Sequence, residues 1–302
     1  MMTDDTANML FITLDSCRWD TAVAARTPAL DGLGPLLASE TSATFTLPAH
    51  WAFFSGFLPR TREPHLFLGH YERLWRSQAG RSWSRTSYVM FDTPTVIEHY
   101  ARSGRHTAGL GGVPFFDPKM PSNSLPALFP TFFYNGERAG LPSTAIDARL
   151  PERRPLPTKM LGEFTESLLG KKQFFGFINF SETHFPYCTP GAGELDEETQ
   201  RTLREIGRQI DVKRPLEDGS PLLEPGRLKS ARDLQVQALE WIDLHLKEMF
   251  GTLAATDRET VVVVCADHGE SFGERGLIGH GNASPEVARV PMWVGTLGEA
   301  ET

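Results

Sequence analysis

The sequence predicts an α/β fold in which helices flank a mostly parallel central sheet. Three short apolar runs carry this prediction, because runs without polar alternation are typical of strands buried on both faces. They cover residues 9–14, 174–180 and 260–266. Helical patterns lie between them at 94–103 and 231–253, so strands and helices alternate along the chain.

Weaker patterns complete the predicted domain, which we expect to span residues 1–302 as one unit. Further strands are predicted at 106–110 and 290–295. Two irregular segments, 111–157 and 190–225, are predicted as insertions over the sheet, because neither has the composition of a linker throughout. The second contains a short helical pattern near its middle.

The composition is that of an ordinary globular protein, with 302 residues, of which 40% are hydrophobic and 23% charged. The net charge of −8 argues against nucleic acid or an anionic membrane as a partner of the whole surface. An arginine-rich stretch at 60–85 runs against this balance. We interpret it as a solvated surface segment, with a rim that attracts an anionic substrate as the functional alternative.

The N-terminal Met-Met-Thr-Asp-Asp-Thr is acidic, unlike a secretory signal, and no apolar run approaches the ~18 residues of a membrane span. Three cysteines, Cys17, Cys188 and Cys265, are too few for a disulfide framework. We therefore expect a cytoplasmic protein with reduced thiols and no membrane association.

Polar side chains follow each of the three main predicted strands. Asp15 follows the first strand, Glu182 and His184 follow the second, and Asp267 and His268 follow the third. In parallel sheets the ligand site forms beyond the carboxyl ends of the strands. Any one of these residues could simply cap a turn. Together, carboxylates and histidines at strand ends indicate a divalent metal site.

Thr46 is the candidate nucleophile. Pro48 suits the first turn of a helix, which places Thr46 at or next to the N-cap. A hydroxyl there faces unpaired backbone N–H groups and the positive end of the helix dipole, which stabilise an alkoxide or bind a phosphate-like anion. The simpler alternative is a Thr that only caps the helix.

Several motifs resemble those of one superfamily, in the same order along the chain. Residues 15–20, Asp-Ser-Cys-Arg-Trp-Asp, resemble the opening metal motif of sulfatases and related phosphotransferases. Residues 46–50, Thr-Leu-Pro-Ala-His, resemble the nucleophile motif in its Thr-x-Pro-x-His version. Residues 183–187, Thr-His-Phe-Pro-Tyr, are similar to the His-x-Pro substrate-binding motif.

The most specific match lies near the end of the chain. Residues 266–274, Ala-Asp-His-Gly-Glu-Ser-Phe-Gly-Glu, with Gly-His-Gly at 279–281, resemble the Asp-His-Gly-Glu and later His motif of sulfatase-like phosphoethanolamine transferases. The chain is thus identified as a member of the alkaline phosphatase/sulfatase superfamily. The resemblance implies an alkaline-phosphatase-like three-layer sandwich and a sulfatase-like metallohydrolase.

The resemblance also implies a metal site. Asp15, Thr46, Asp267 and His268 would bind one divalent ion. Zinc is favoured, and manganese also suits a set of oxygen and nitrogen donors. A second metal held by Glu182, His184 and His280 is the less favoured alternative.

Catalytic roles follow from the same resemblance. Thr46 would attack in line and form a covalent phospho-threonine, which water then displaces. His184 and His280 would bind the non-bridging oxygens, or one of them would protonate the leaving oxygen. His50 would either orient the substrate phosphate or pack below it.

Two departures argue against sulfatase chemistry. Sulfatases oxidise a Cys or Ser to formylglycine, whereas the methyl group of Thr46 would make the product a ketone. The arginine of the sulfatase motif is replaced by His50. We therefore expect hydrolysis of a small anionic phosphate mono- or diester. The alternatives are, in order, a phosphotransferase to an alcohol, a sulfatase and a non-catalytic binding protein of the same fold.

Overall fold

A computed structural model describes residues 7–56, 94–120, 123–134, 156–171, 173–187, 189–210, 223–256 and 258–298. The strands are β1 (Asn8–Leu14), β2 (Leu37–Glu40), β3 (His106–Gly111), β4 (Thr131–Tyr134), β5 (Phe174–Phe180), β6 (Thr260–Ala266), β7 (Ser271–Phe272), β8 (Ile278–Gly279) and β9 (Arg289–Leu297). The helices are α1 (Trp19–Ala24), α2 (Pro28–Asp31), α3 (Thr46–Ser55), α4 (Val96–Arg102), α5 (Leu161–Leu168), α6 (Glu197–Ile210), α7 (Pro225–Ala254) and α8 (Pro285–Ala288).

Seven strands form one sheet in the order β2-β9-β6-β1-β5-β3-β4. Only β9, within this sheet, runs antiparallel to its neighbours β2 and β6; the other pairs are parallel. Strand β1 lies between β5 and β6, and Leu14 at its end is paired with Phe180 and Ala266. The residues that follow these three strands therefore meet at one edge of the sheet. The predicted α/β fold with a mostly parallel sheet is confirmed.

The central strands are buried on both faces. All seven residues of β5 are buried, and its alternate side chains enter two separate apolar clusters. Ile178 packs on the side of α5 and α7, whereas Phe177 packs on the side of α3 and α4. Because both faces are covered, the strand needs no polar alternation. The result is the expected three layers of helix, sheet and helix.

The two segments predicted as insertions each contain a regular element of secondary structure. Residues 131–134, inside the first segment predicted as an insertion, pair with β3 as the edge strand β4. The second segment contains α6, a helix of 14 residues. Leu203 and Ile206 of this helix are buried in a third apolar cluster that includes Leu228 of α7. The arginine-rich stretch at 60–85, residues 135–155 and Cys188 lie outside the described residues.

None of the helices that the structure describes is both long and apolar enough to cross a membrane.

Candidate active site

Four predicted residues meet at the carboxyl edge of the sheet. Asp15 follows β1, Asp267 and His268 follow β6, and Thr46 is the first residue of α3. All four side chains are buried. The N-cap of α3 is Phe45, so Thr46 lies next to the N-cap, with its hydroxyl among the polar groups of the site.

The distances within this group are short. Oγ1 of Thr46 lies 3.4 Å from Oδ2 of Asp15 and 3.4 Å from Nε2 of His268. The same Nε2 lies 3.4 Å from Oδ2 of Asp267 and 3.9 Å from Oδ1 of Asp15. One donor atom from each of Asp15, Asp267 and His268 lies within 4.8 Å of the others, a spacing that can hold a metal ion.

The hydrogen bonds around these donors fit a cation. Oδ1 of Asp267 accepts from the backbone N–H groups of Ser16, at 3.1 Å, and of His268, at 2.9 Å. Its Oδ2 is buried and has no hydrogen-bond partner among the described residues. Nδ1 of His268 donates to the carbonyl of Gly269 at 2.9 Å, which leaves the Nε2 lone pair facing the carboxylates. This tautomer is the one that metal-ligating histidines adopt.

The electrostatics of the buried donors also favour binding of a cation. Burial, together with the charge of Asp15, raises the pKa of Asp267 well above its usual value. Burial acts to raise the pKa of Asp15 as well, but nearby histidines, His184 foremost, outweigh it and lower that pKa. Burial also lowers the pKa of His268 to about 3, so its imidazole is neutral near pH 7. Two carboxylates in one dry site repel each other, and a divalent cation relieves that repulsion.

His50 lies one turn into α3 and is fully buried. Its Nδ1 donates to the carbonyl of Thr46 at 2.7 Å, and its Nε2 lies 2.9 Å from the hydroxyl of Thr13. The ring contacts Phe116 and Phe177 edge to face. Both nitrogens are thus engaged by protein groups. Of the two roles expected for His50, this placement favours packing below the site.

His184 and His280 lie at the outer side of the site and are both partly exposed. The ring of His280 is centred 4.4 Å from that of His268 and 5.4 Å from that of His184. His280 therefore lies beside both His268 and His184. Glu182 is buried as well, and its Oε1 accepts from the backbone N–H of Thr158 at 2.9 Å.

Two contacts were not anticipated from the sequence. Glu270 is fully buried, and its Oε1 lies 3.2 Å from Nδ1 of His280. Burial raises the pKa of Glu270 to about 7. Asn179 donates to Oδ2 of Asp15 at 3.1 Å. The sequence pointed to Glu270, because it is the Glu of the Asp-His-Gly-Glu motif. Asn179 lies inside an apolar strand, and no sequence pattern pointed to it.

The comparisons with known proteins show the family of this chain. The model of the sulfatase family matches residues 77–295. The chain belongs to the sulfatase family. The choline-sulfatase of Rhizobium meliloti (strain 1021) is 22% identical over 300 residues, a match that covers 86% of this chain and 55% of that protein. This sulfatase-family chain thus spans little more than half the length of that relative.

Solved structures share the fold. The phosphonate monoester hydrolase of Agrobacterium radiobacter superposes with a TM-score of 0.63 at 16% identity, covering 95% of this chain and 68% of that chain. The C-terminal periplasmic domain of EcEptC from Escherichia coli superposes with a TM-score of 0.56 at 12% identity, covering 98% and 74%. The predicted alkaline phosphatase/sulfatase superfamily and its α/β sandwich are confirmed.

Proposed function

We propose that this protein is a metal-dependent hydrolase of phosphate mono- or diesters that uses Thr46 as its covalent nucleophile. One observation carries the proposal: the Thr46 hydroxyl lies at a helix N-terminus, 3.4 Å from both Asp15 and His268. A helix N-terminus favours negative charge, so it suits both an activated hydroxyl and a phosphate. Membership of the sulfatase family supports a hydrolase or transferase.

Asp15, Asp267 and His268, joined by the Thr46 hydroxyl, would hold one divalent ion. Oxygen donors with one imidazole suit zinc, and manganese is the alternative. Such an ion supplies Lewis-acid chemistry, lowering the pKa of a neighbouring hydroxyl and polarising the ester oxygens.

Groups of the protein itself would carry out the proton transfer and the nucleophilic attack. The Thr46 hydroxyl donates toward Oδ2 of Asp15, so its proton already points at a carboxylate. Oγ1 forms the bond to phosphorus as the ester oxygen leaves, and water later displaces the phosphoryl group from Thr46. Because Thr46 is buried whereas His280 and His184 are partly exposed, the leaving group would depart on the side of these two histidines.

The two outer histidines suit the oxygens of the substrate. Oε1 of Glu270 lies 3.2 Å from Nδ1 of His280, a contact that orients this ring. Nδ1 of His184 donates to the carbonyl of Phe185 at 2.9 Å, which orients the second ring. Either imidazole can bind a non-bridging oxygen or protonate the leaving one.

A sulfate ester is the second candidate substrate, because the family and the choline-sulfatase relative bear sulfatase names. The residue at the nucleophile position argues against it. Thr46 cannot be oxidised to the aldehyde on which sulfatases depend, since its β-carbon carries a methyl group.

The test uses zinc- or manganese-loaded protein with p-nitrophenyl phosphate, bis-p-nitrophenyl phosphate and p-nitrophenyl sulfate. We expect release of nitrophenol from a phosphate ester, and a loss on the order of 10³-fold or more in Thr46→Ala. Thr165→Ala is the matched control, because Thr165 is also a buried helical threonine but lies on α5, away from the site. Activity that survives Thr46→Ala, or sulfate release that exceeds phosphate release, contradicts the proposal. An added alcohol that captures the phosphoryl group would indicate transfer instead of hydrolysis.

A further inference from the structure

We propose that Gln235 is a positioning residue, which ties the loop after β1 to the loop after β5 and thereby sets Asp15 relative to His184. Gln235 lies on α7, outside the active site, and is fully buried. It stands in the stripe of this helix that otherwise carries apolar residues such as Ala238, Leu239 and Ile242. A buried amide in such a stripe is costly unless its hydrogen bonds are made.

All of those hydrogen bonds go to the two loops and to one neighbouring helix. Nε2 of Gln235 donates to the carbonyl of Ser16 and to the carbonyl of Thr183, each at 2.9 Å. Oε1 accepts from the hydroxyl of Thr21 on α1 at 2.6 Å. Two carbonyls can only accept, so the orientation of the amide is fixed. One side chain thus uses both of its donors on two different loops.

The two carbonyls belong to residues adjacent to the site. Ser16 follows Asp15 and has a φ of 61°, in the left-handed region that is unfavourable for a residue other than glycine. Its N–H donates to Asp267 and its carbonyl accepts from Gln235, so Ser16 is held from both sides. This pinning keeps the strained peptide in the orientation that the Asp267 carboxylate requires.

The second loop is tied to the first by another route as well. The hydroxyl of Thr183 donates to the carbonyl of Asp15 at 2.8 Å, and its own carbonyl accepts from Gln235. His184 is the next residue. A metal donor and an outer histidine are therefore linked through two peptide groups and the amide of Gln235. A shift of one loop past the other would separate the donors from the substrate-binding histidines.

The inference rests on the proposed function for its zinc-affinity and catalytic measurements, whereas the NMR measurement on the metal-free protein is independent of it. The decisive variant is Gln235→Leu, which keeps most of the side-chain volume and removes both donors. Its matched control is Gln237→Leu, on the same helix but exposed. We expect Gln235→Leu to weaken zinc affinity by about 10-fold or more, as loss of supporting hydrogen bonds does around metal ligands. It should also lower kcat on p-nitrophenyl phosphate and shift the imidazole NMR signals of His184 in the metal-free protein.

Equal zinc affinity and unchanged His184 signals in a folded Gln235→Leu protein would overturn the inference, leaving a purely stabilising role. If that variant does not fold, Thr21→Val removes the donor to Oε1 of Gln235 and should move the same measurements in the same direction by less. A wild type that binds zinc but cleaves no ester contradicts the proposed function alone. If the wild type binds no zinc, the His184 signals of the metal-free variants still decide the role of Gln235.

Discussion

The backbone N–H of Ser16 donates a hydrogen bond to Oδ1 of Asp267, with 3.1 Å between nitrogen and oxygen. The loop after β1 thus holds one oxygen of a carboxylate that follows β6, and the other oxygen is turned toward His268, 3.4 Å away. The orientation of this carboxylate is set by peptide groups rather than by a cationic side chain. Its charge has no buried Lys or Arg partner among the described residues, and a bound cation would balance it.

Asp267→Asn should therefore weaken zinc binding while making the metal-free protein more stable near pH 8. The amide keeps the acceptor for Ser16 and His268 but removes a charge from a site where Asp15 is already ionised. We expect affinity to fall by more than ~100-fold, because Asp267 would contact the proposed ion directly, and loss of supporting hydrogen bonds alone costs about 10- to 100-fold. Titration calorimetry and urea unfolding measure the two effects.

Asp243→Asn is the control for that experiment. Asp243 is also buried and burial raises its pKa, but it accepts from the backbone of Ala29 and Leu30. Its substitution should leave zinc affinity unchanged. A metal-free Asp267→Asn protein that is less stable than the wild type at pH 8 would contradict the repulsion described above.

Glu270 predicts a pH dependence for the metal-free protein. Burial raises its pKa from 4.5 to about 7, so the folded protein prefers the protonated form. The corresponding stability is fully present below pH 4.5 and is lost as the pH rises to about 7, a difference of roughly 3 kcal/mol at most. Burial lowers the pKa of His50 and His268, which acts in the opposite direction on acidification.

Urea midpoints at pH 5 and pH 8 for the wild type and Glu270→Gln separate these contributions, because both proteins share the histidines. We expect the variant to lose less stability between the two pH values. An identical pH dependence in the two proteins would mean that Glu270 ionises at its ordinary pKa.

Arg18→Lys should loosen the hairpin of β7 and β8. The Arg18 guanidinium is buried and makes two hydrogen bonds to Asp20, at 2.7 and 2.8 Å. It also donates to Glu274 at 2.7 Å and to the carbonyl of Glu270 at 3.2 Å. Lysine cannot reproduce this fork. We expect a loss of roughly 1–3 kcal/mol in the free energy of unfolding and a lower kcat, with exposed Arg26→Lys as the unchanged control.

His50→Leu separates the two roles expected for His50. It removes one hydrogen bond from the Thr46 carbonyl and one from the Thr13 hydroxyl, which should cost about 1–3 kcal/mol of stability. If His50 only supports Thr46, kcat falls while inhibition by inorganic phosphate stays unchanged. Weaker inhibition by phosphate would assign His50 to direct substrate contact.

The sequence predicted the central strands well because burial on both faces leaves an unbroken apolar run. The predicted bounds of β5 and β6 agree with the structure, and Asp15, Asp267 and His268 followed from their places at strand ends. The edge strands β2 and β4 were missed because each has only four residues, none of which is fully buried. The predicted start of α7 was six residues too late, because the residues before Ala231 include charged ones and lack the apolar pattern.

The missed supporting residues have a different cause. Asn179 and Gln235 act through contacts with residues more than 150 positions away, such as Asp15 and Ser16. Periodicity describes which face of an element is buried, and it says nothing about the partner that a buried amide will meet. Such residues become recognisable only when the topology is known.

The central place of β1 also constrains the order in which the protein can form. A ribosome makes β1 before the other strands of this sheet, and both of its neighbours, β5 and β6, are made much later. Asp15 and Thr46 are therefore synthesised before Asp267 and His268. An incomplete chain cannot bind the ion that the complete site would hold. During that interval an apolar strand with two unpaired edges is exposed, so the growing chain depends on its surroundings to keep it from premature pairing.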